Sequence, residues 1–499
     1  MASGADEPTD TTSFRSPRAR FFSLFPSIML PMGLAVVDQT IVASALPAIA
    51  GSLGEVERIS WVVISYLVAN TIAAPVYGYL GDVFGRRRLM FAALTLFIVA
   101  SALCAMATSI PLLSAARALQ GLGGGGLMTL SQALVGQVVP VRERAYYQGY
   151  LATVATVSSA VGPVIGGFLT ESLGWRWIFL INVPLGLAAI LLVLRLPARP
   201  GTRHADWQFD TPGLLFFVAF IAPVIFALEQ VQRLDPHALI LAAALVGLAL
   251  VALVLLVRQE RRAAAPLFPL DLIRQPSIWR ADALAVSHGA ALTALIAFLP
   301  IYFRVVGGTS AAETGYFMLP VTVGMGAGSL LTGRIVTRTG RTMIFPSIGL
   351  IGATLTLVFF AFSAPWFRPI QASFTICLAM FFMGTVMGVV QVTVQKGAGK
   401  ALGSAAASVQ LARSVGASFG TAIVGTILFA NLAATDSEAA RLFGNAVDLG
   451  PTALLQLSDA RRTIVAGEIA SAFRAAFAML AVFTTIGTLL AWSNPSRRL

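Results

Sequence analysis

Charge is what this sequence most lacks. Only 11% of its 499 residues are Asp, Glu, Lys or Arg, far too few to coat a soluble protein of that length. Histidine is scarcer, with three residues, and cysteine has two. Cys104 and Cys377 both lie inside apolar runs; this argues against a disulfide framework and for buried small hydrophobes. The apolar segments carry no metal-ligand cluster, nucleophile triad or phosphate-binding loop, so neither an enzyme nor a cofactor or metal is expected. Hydrophobic residues, by contrast, make up 57% of the chain, and the mean hydropathy is +0.82. The apolar runs are too long for barrel strands, so the sequence reads as an all-α membrane protein.

Fourteen apolar spans are predicted, at about 21–46, 59–80, 89–109, 112–139, 145–170, 177–196, 212–230, 237–257, 281–303, 314–335, 343–363, 369–394, 402–432 and 469–492. The first run is too long for a signal peptide and is expected to stay attached. The linker 197–211 and the proline-bearing stretch 258–280 divide the spans into 6 + 2 + 6. The expected domains are an N-terminal six-helix bundle (1–200), an inserted two-helix hairpin (201–265) and a C-terminal six-helix bundle (266–499). The last includes a long extracytoplasmic loop, 433–466. Paired six-helix halves place a substrate site between them, near the bilayer midplane.

Of the 34 Lys and Arg residues, 23 fall at the termini and in the loops on their side, and 8 in the opposite loops. The positive-inside rule therefore puts both termini in the cytoplasm. The net charge of +12 follows from this topology, and no nucleic-acid partner is expected.

The remaining cations, Arg117, Arg413 and Arg474, lie within spans, and the acid Asp38 lies within the first. Asp38 is about 17 residues into the first run but only about 12 Å from its far end at helical rise. A carboxylate there costs about 2.5–3.5 kcal/mol or more. It is either an acid satisfied by a neighbouring arginine or a proton carrier in a transport pathway. Arg117 enters from the opposite face and reaches a matching depth, about 9 Å, which makes it the natural partner.

An internal repeat relates the halves. GYLGDVFGRRR (Gly78–Arg88) aligns with GRIVTRTGR (Gly333–Arg341), matching Gly78 with Gly333 and Gly85-Arg86 with Gly340-Arg341. Asp82 falls on Thr337, so the second copy lacks the acid.

Several motifs now converge. Gly78–Arg88 fits G-x-L-x-D-R-x-G-R-R, except that Val83 replaces a basic residue. RALQGLGGGG (Arg117–Gly126) carries R-x-x-Q-G, with Gln120 as its amide. GPVIGG (Gly162–Gly167) occupies span 5, DQTIVASALP (Asp38–Pro47) span 1, and WRWIFLINVPLG (Trp175–Gly186) leads into span 6. Together these resemble the major facilitator superfamily, specifically its fourteen-span drug:proton antiporters.

The resemblance implies a proton-coupled antiporter that exports drugs or other lipophilic compounds by alternating access, from a bacterial cytoplasmic (inner) membrane. A proton is the coupling ion, with Asp38 and Arg117 carrying the coupling. Gly78, Asp82, Gly85 and Arg86 would form a latch between the halves at the cytoplasmic face, with Asp82 held by arginines and a facing helix N-terminus. Gly162, Pro163, Gly166 and Gly167 would be the antiporter motif, a bend in span 5 packed against the other half. Partners implied are a lipophilic small-molecule substrate and membrane lipids, with a periplasmic adaptor protein as a further candidate.

Asn70, Gln120, Gln132, His288, Gln391 and Arg413 are candidates for a polar cavity. Bonding across helices is the default for any one of these polar side chains. With no acid visible at its depth in the second half, Arg413 is left with carbonyls, water, a first-half acid or an anionic ligand as partner. The alternative cargo is an amphiphilic or lipid-like metabolite, whose headgroup Arg413 and Arg474 would suit.

Overall fold

The computed structural model describes residues 17–54, 58–197, 208–232, 236–263, 266–268, 270–399, 401–435, 443 and 459–498. Most of the expected linker 197–211 and of the loop 433–466 lies outside them. The described chain is helical: α1 (Pro17–Leu53), α2 (Ser60–Phe84), α3 (Arg86–Met106), α4 (Ile110–Val138), α5 (Arg144–Ser172), α6 (Trp177–Leu180), α7 (Asn182–Val193), α8 (Thr211–Gln232) and α9 (Pro236–Glu260). There follow α10 (Leu270–Ile273), α11 (Pro276–Val305), α12 (Ala311–Thr339), α13 (Ile344–Ser363), α14 (Pro369–Met383), α15 (Met387–Ala398), α16 (Leu402–Thr435) and α17 (Asp459–Ser493).

Helix occupies every one of the fourteen apolar stretches. Twelve segments of the described residues are long and apolar enough to cross a membrane; α4 and the α6–α7 segment are not among them. In α4 the apolar character is diluted by Arg117, Gln120, Gln132 and the run Gly123–Gly126, yet most of its residues are buried, and all of Gly123–Gly136 are. A helix enclosed by other helices need not present an apolar face to lipid. The α6–α7 segment breaks at Ile181, three residues before Pro184, whose ring cannot pack against an unbroken preceding turn.

The two largest apolar cores lie one in each half. Phe21, Phe97, Leu127 and Tyr147 help fill the first; Leu299, Phe360, Met380 and Phe477 help fill the second. The hairpin α8–α9 packs along the seam through Phe217, Ile221 and Leu256, beside Val68 of α2 and Val415 of α16. Inside the first half the glycine run of α4 lets backbones touch. A side chain on Gly121 or Gly125 would strike the carbonyls of Tyr66 and Asn70 on α2, and one on Gly123 would strike Ala93 and Phe97 on α3. Small residues at such spacing are how membrane helices reach close contact.

Candidate functional site

Asp38 and Arg117 meet. Arg117 Nη1 donates to Asp38 Oδ2 at 2.7 Å, with both side chains essentially inaccessible to solvent. Asp38 Oδ1 accepts from Gln120 Nε2 at 2.8 Å and from Asn182 Nδ2 at 2.7 Å. Gln120 also donates to Ser101 Oγ at 2.8 Å and accepts from Arg117 Nη1. The guanidinium lies 4.1 Å from the Tyr66 ring centroid, and its Nε donates to the Val62 carbonyl at 3.3 Å. One ion pair and two amide donors therefore serve a carboxylate that burial alone would strongly penalise, while the Tyr66 ring faces its guanidinium partner. Asn182, the first residue of α7, completes the cluster. It also lines a mostly apolar cavity of about 220 Å³ with Gly33, Val37 and Leu185. Asn182 stood within the Trp175–Gly186 motif but was not picked out, since an isolated amide in an apolar segment carries no distinguishing local signal.

Between the halves lies a second cavity, of about 180 Å³. Of the expected polar lining it contains Gln132, Gln391 and Arg413. Asn70, Gln120 and His288 are elsewhere. Gln120 belongs to the Asp38 cluster, Asn70 packs against Gly125, and His288 is buried with Nε2 at 3.1 Å from the Met383 carbonyl. The cavity also takes Gln39, Thr40 and Gln148. Gln39 adjoins Asp38 in the span 1 motif, yet the two side chains leave α1 about 100° apart. Asp38 points into its own bundle and Gln39 lines the seam.

At the end of the bundle that carries the termini, Asp82 accepts from the backbone N–H of Gly403 (2.9 Å to Oδ2) and of Ser404 (3.1 Å), in the first turn of α16. Arg86 donates to the same carboxylate and to Gln137 Oε1 at 3.0 Å. A carboxylate at a helix N-terminus satisfies orphan N–H groups and the helix dipole together. Gly78 and Gly403 are in backbone contact beneath it. Gly85, at φ 93°, makes the one-residue turn into α3, a left-handed conformation that favours glycine. The second copy of the repeat solves the same problem without an acid. Gly340 turns at φ 66°, Gly333 lies against Tyr146 of α5, and Arg142 Nε donates to the Thr337 carbonyl at 3.2 Å. Gln395 Nε2 adds a bond to the Gln132 carbonyl at 3.3 Å across the same end.

Asp82→Asn is expected to weaken this clamp, because the amide nitrogen would face N–H donors. A cysteine placed at Gln395 should label several-fold faster from the terminal side, and transport should fall. Unchanged labelling and transport would leave the loop only a topological role.

The span 5 motif requires a correction. Gly162 and Gly166 pack against α1 of their own half, where a side chain would strike Thr40, Ser44 and the Ile41 carbonyl. Gly167 has nothing within contact range. The contact of α5 with the other half is made nearer its start, where Gly149 approaches Ser329 of α12. A four-residue glycine repeat gives a flat helix face but does not say which neighbour uses it.

One acid escaped the sequence reading. Asp282 is the second residue of the predicted span 281–303. Helix α11 begins six residues earlier, at Pro276, and carries Asp282 into the packing between α11 and α16, where Ser408 Oγ lies 3.4 Å from Oδ1.

Comparison with known proteins agrees with this architecture. The family profile described as Major Facilitator Superfamily matches residues 28–421. An uncharacterized MFS-type transporter of Mycobacterium tuberculosis is 33% identical over 481 residues, covering 94% of this chain and 68% of that one. The multidrug transporter protein MdtP of Bacillus subtilis is 29% identical, covering 87% of this chain and 83% of its own. Among solved structures, the proton:xylose symporter XylE superposes with a TM-score of 0.63 at 13% identity, covering 97% of this chain and 98% of that one. The human organic anion transporter MFSD10 gives 0.56 at 14%, covering 96% and 100%.

Proposed function

Because this chain belongs to the Major Facilitator Superfamily, a family of transporters and not enzymes, we propose that it exports drug-like or other lipophilic small molecules in exchange for protons. The carrying observation is the buried Asp38–Arg117 pair, set one residue along α1 from the cavity-lining Gln39. Its relatives named as multidrug transporters support the cargo class.

The coupling follows from the geometry. A proton on Asp38 removes the charge that holds Arg117 Nη1 and one acceptor of the two amides. With Asp38 charged the pair is neutral overall; with Asp38 protonated Arg117 is left uncompensated, and α1 carries the difference to the cavity through Val36, Gln39 and Thr40. Alternating access then requires the Asp82 clamp to open on one side as the seam closes on the other. The fourteen-span 6 + 2 + 6 arrangement, with both termini in the cytoplasm, is part of the same proposal. The supporting observations are the helix in all fourteen stretches and the basic asymmetry of the loops.

The test is proton movement in proteoliposomes. Imposing an outward gradient of a transported drug should drive protons the opposite way, and imposing a pH gradient should accumulate the drug. Drug exchange with no proton movement under either gradient would refute antiport while leaving a transporter.

A further inference from the structure

Among the described residues the cavity between the halves is lined by one cation, Arg413, and by no Asp or Glu. The side chain of Arg413 has no carboxylate partner among the described residues. Its bonds are from Nε at 3.3 Å and Nη2 at 3.2 Å, both to the neutral Gln410 Oε1. A guanidinium has five N–H donors, and a single neutral acceptor leaves most of them unused. Arg413 is held there by backbone contact, since α16 lies directly on α11 where Gly289 meets the Arg413 carbonyl and Gly416 meets that of Val286.

In the wall of the same cavity, Gln391 is buried with neither its amide nitrogen nor its oxygen bonded, and Gln132 Oε1 is likewise unpaired. Both line the cavity. Buried polar groups without partners are costly, and here three atoms and a cation converge on one space. The rest of the wall is largely apolar, with Met32, Met128, Leu292, Ile296 and Met325.

We propose that this cavity binds an amphiphilic anion, with a carboxylate, sulfonate or phosphate group on Arg413 and the Gln391 amide and an apolar body against the methionines. This assignment rests on the transport reading above and narrows its cargo. The other buried pairs are internally neutral: Asp38 answers Arg117, and Asp82 answers Arg86 and a helix end. A cationic drug entering the cavity would meet Arg413 with no acid to offset it, whereas an anion would supply the missing partner.

The experiment compares two size-matched probes, 1-naphthalenesulfonate and N,N,N-trimethyl-1-naphthylammonium. Binding is measured to the full-length protein in nanodiscs, with empty nanodiscs subtracted. The sulfonate should bind at least about tenfold more tightly than the ammonium. Arg413→Gln should lose about tenfold or more of the sulfonate affinity, with Arg413→Lys keeping part of it and the ammonium little affected. If Arg413→Gln does not fold, Gln391→Leu serves instead, with a several-fold loss for the sulfonate alone. Equal or tighter ammonium binding, or sulfonate affinity indifferent to these substitutions, would overturn the assignment.

Proteoliposome flux separates this from the broader reading. Sulfonate bound through Arg413 but never moved would refute export and keep the site. Proton-driven movement of the ammonium alone would keep export and refute the anion.

Discussion

Asp38→Asn is expected to abolish energised transport. One proton driven by about 100 mV and one pH unit provides about 3.7 kcal/mol, enough to sustain a substrate gradient on the order of 10²-fold or more. In inside-out vesicles the accumulation ratio should fall from that level to about one. The asparagine keeps the shape and an acceptor for the Gln120 and Asn182 amides, while Arg117 retains the Tyr66 ring and the Val62 carbonyl. The variant should therefore fold, and exchange without a gradient should persist, because an amide resembles the protonated acid. A variant that accumulates substrate as well as the parent would make Asp38 a structural acid. Coupling would then be sought at Asp282, which meets only the Ser408 hydroxyl among the bonds described for it.

Arg117→Ala is expected to cost the most stability. It leaves a fully buried carboxylate with two amide donors and no cation. Breaking a buried pair by removing one partner costs about 3–5 kcal/mol. Thermal denaturation of the purified protein should show the loss as a clear fall in midpoint. The double variant Asp38→Asn, Arg117→Gln should regain much of it, since both partners become neutral hydrogen-bonding groups, yet it should remain unable to couple. Parent-like stability in Arg117→Ala would mean that the carboxylate is already protonated or solvated, and the pair would lose its place in the mechanism.

The candidate site was legible in part. Asp38, Arg117 and Gln120 could be read from motifs and depth, and they meet in space. Asp82 could be read from its loop, and it lies at the start of α16, 321 positions away. Three of the six residues considered for the cavity line it, and Gln39 and Gln148 were not anticipated. Asn70 and His288 show why. A polar side chain in a membrane helix can bond a backbone or a neighbour as readily as a ligand, and its identity alone does not say which.

The sequence by itself determined what depends on distance along the chain. Apolar run lengths set the helices and their class, basic loops set the expected sidedness, and rise per residue brought Asp38 and Arg117 to the same depth. Only the tertiary structure decided direction around each helix axis. It turns Asp38 into its own bundle and Gln39 to the seam, seats Gly162 and Gly166 on α1, and carries Asn182 to the carboxylate. Depth accumulates residue by residue and survives in any helix. Azimuth is chosen jointly by all the helices that pack around it, where one residue's offset turns a side chain through about 100°.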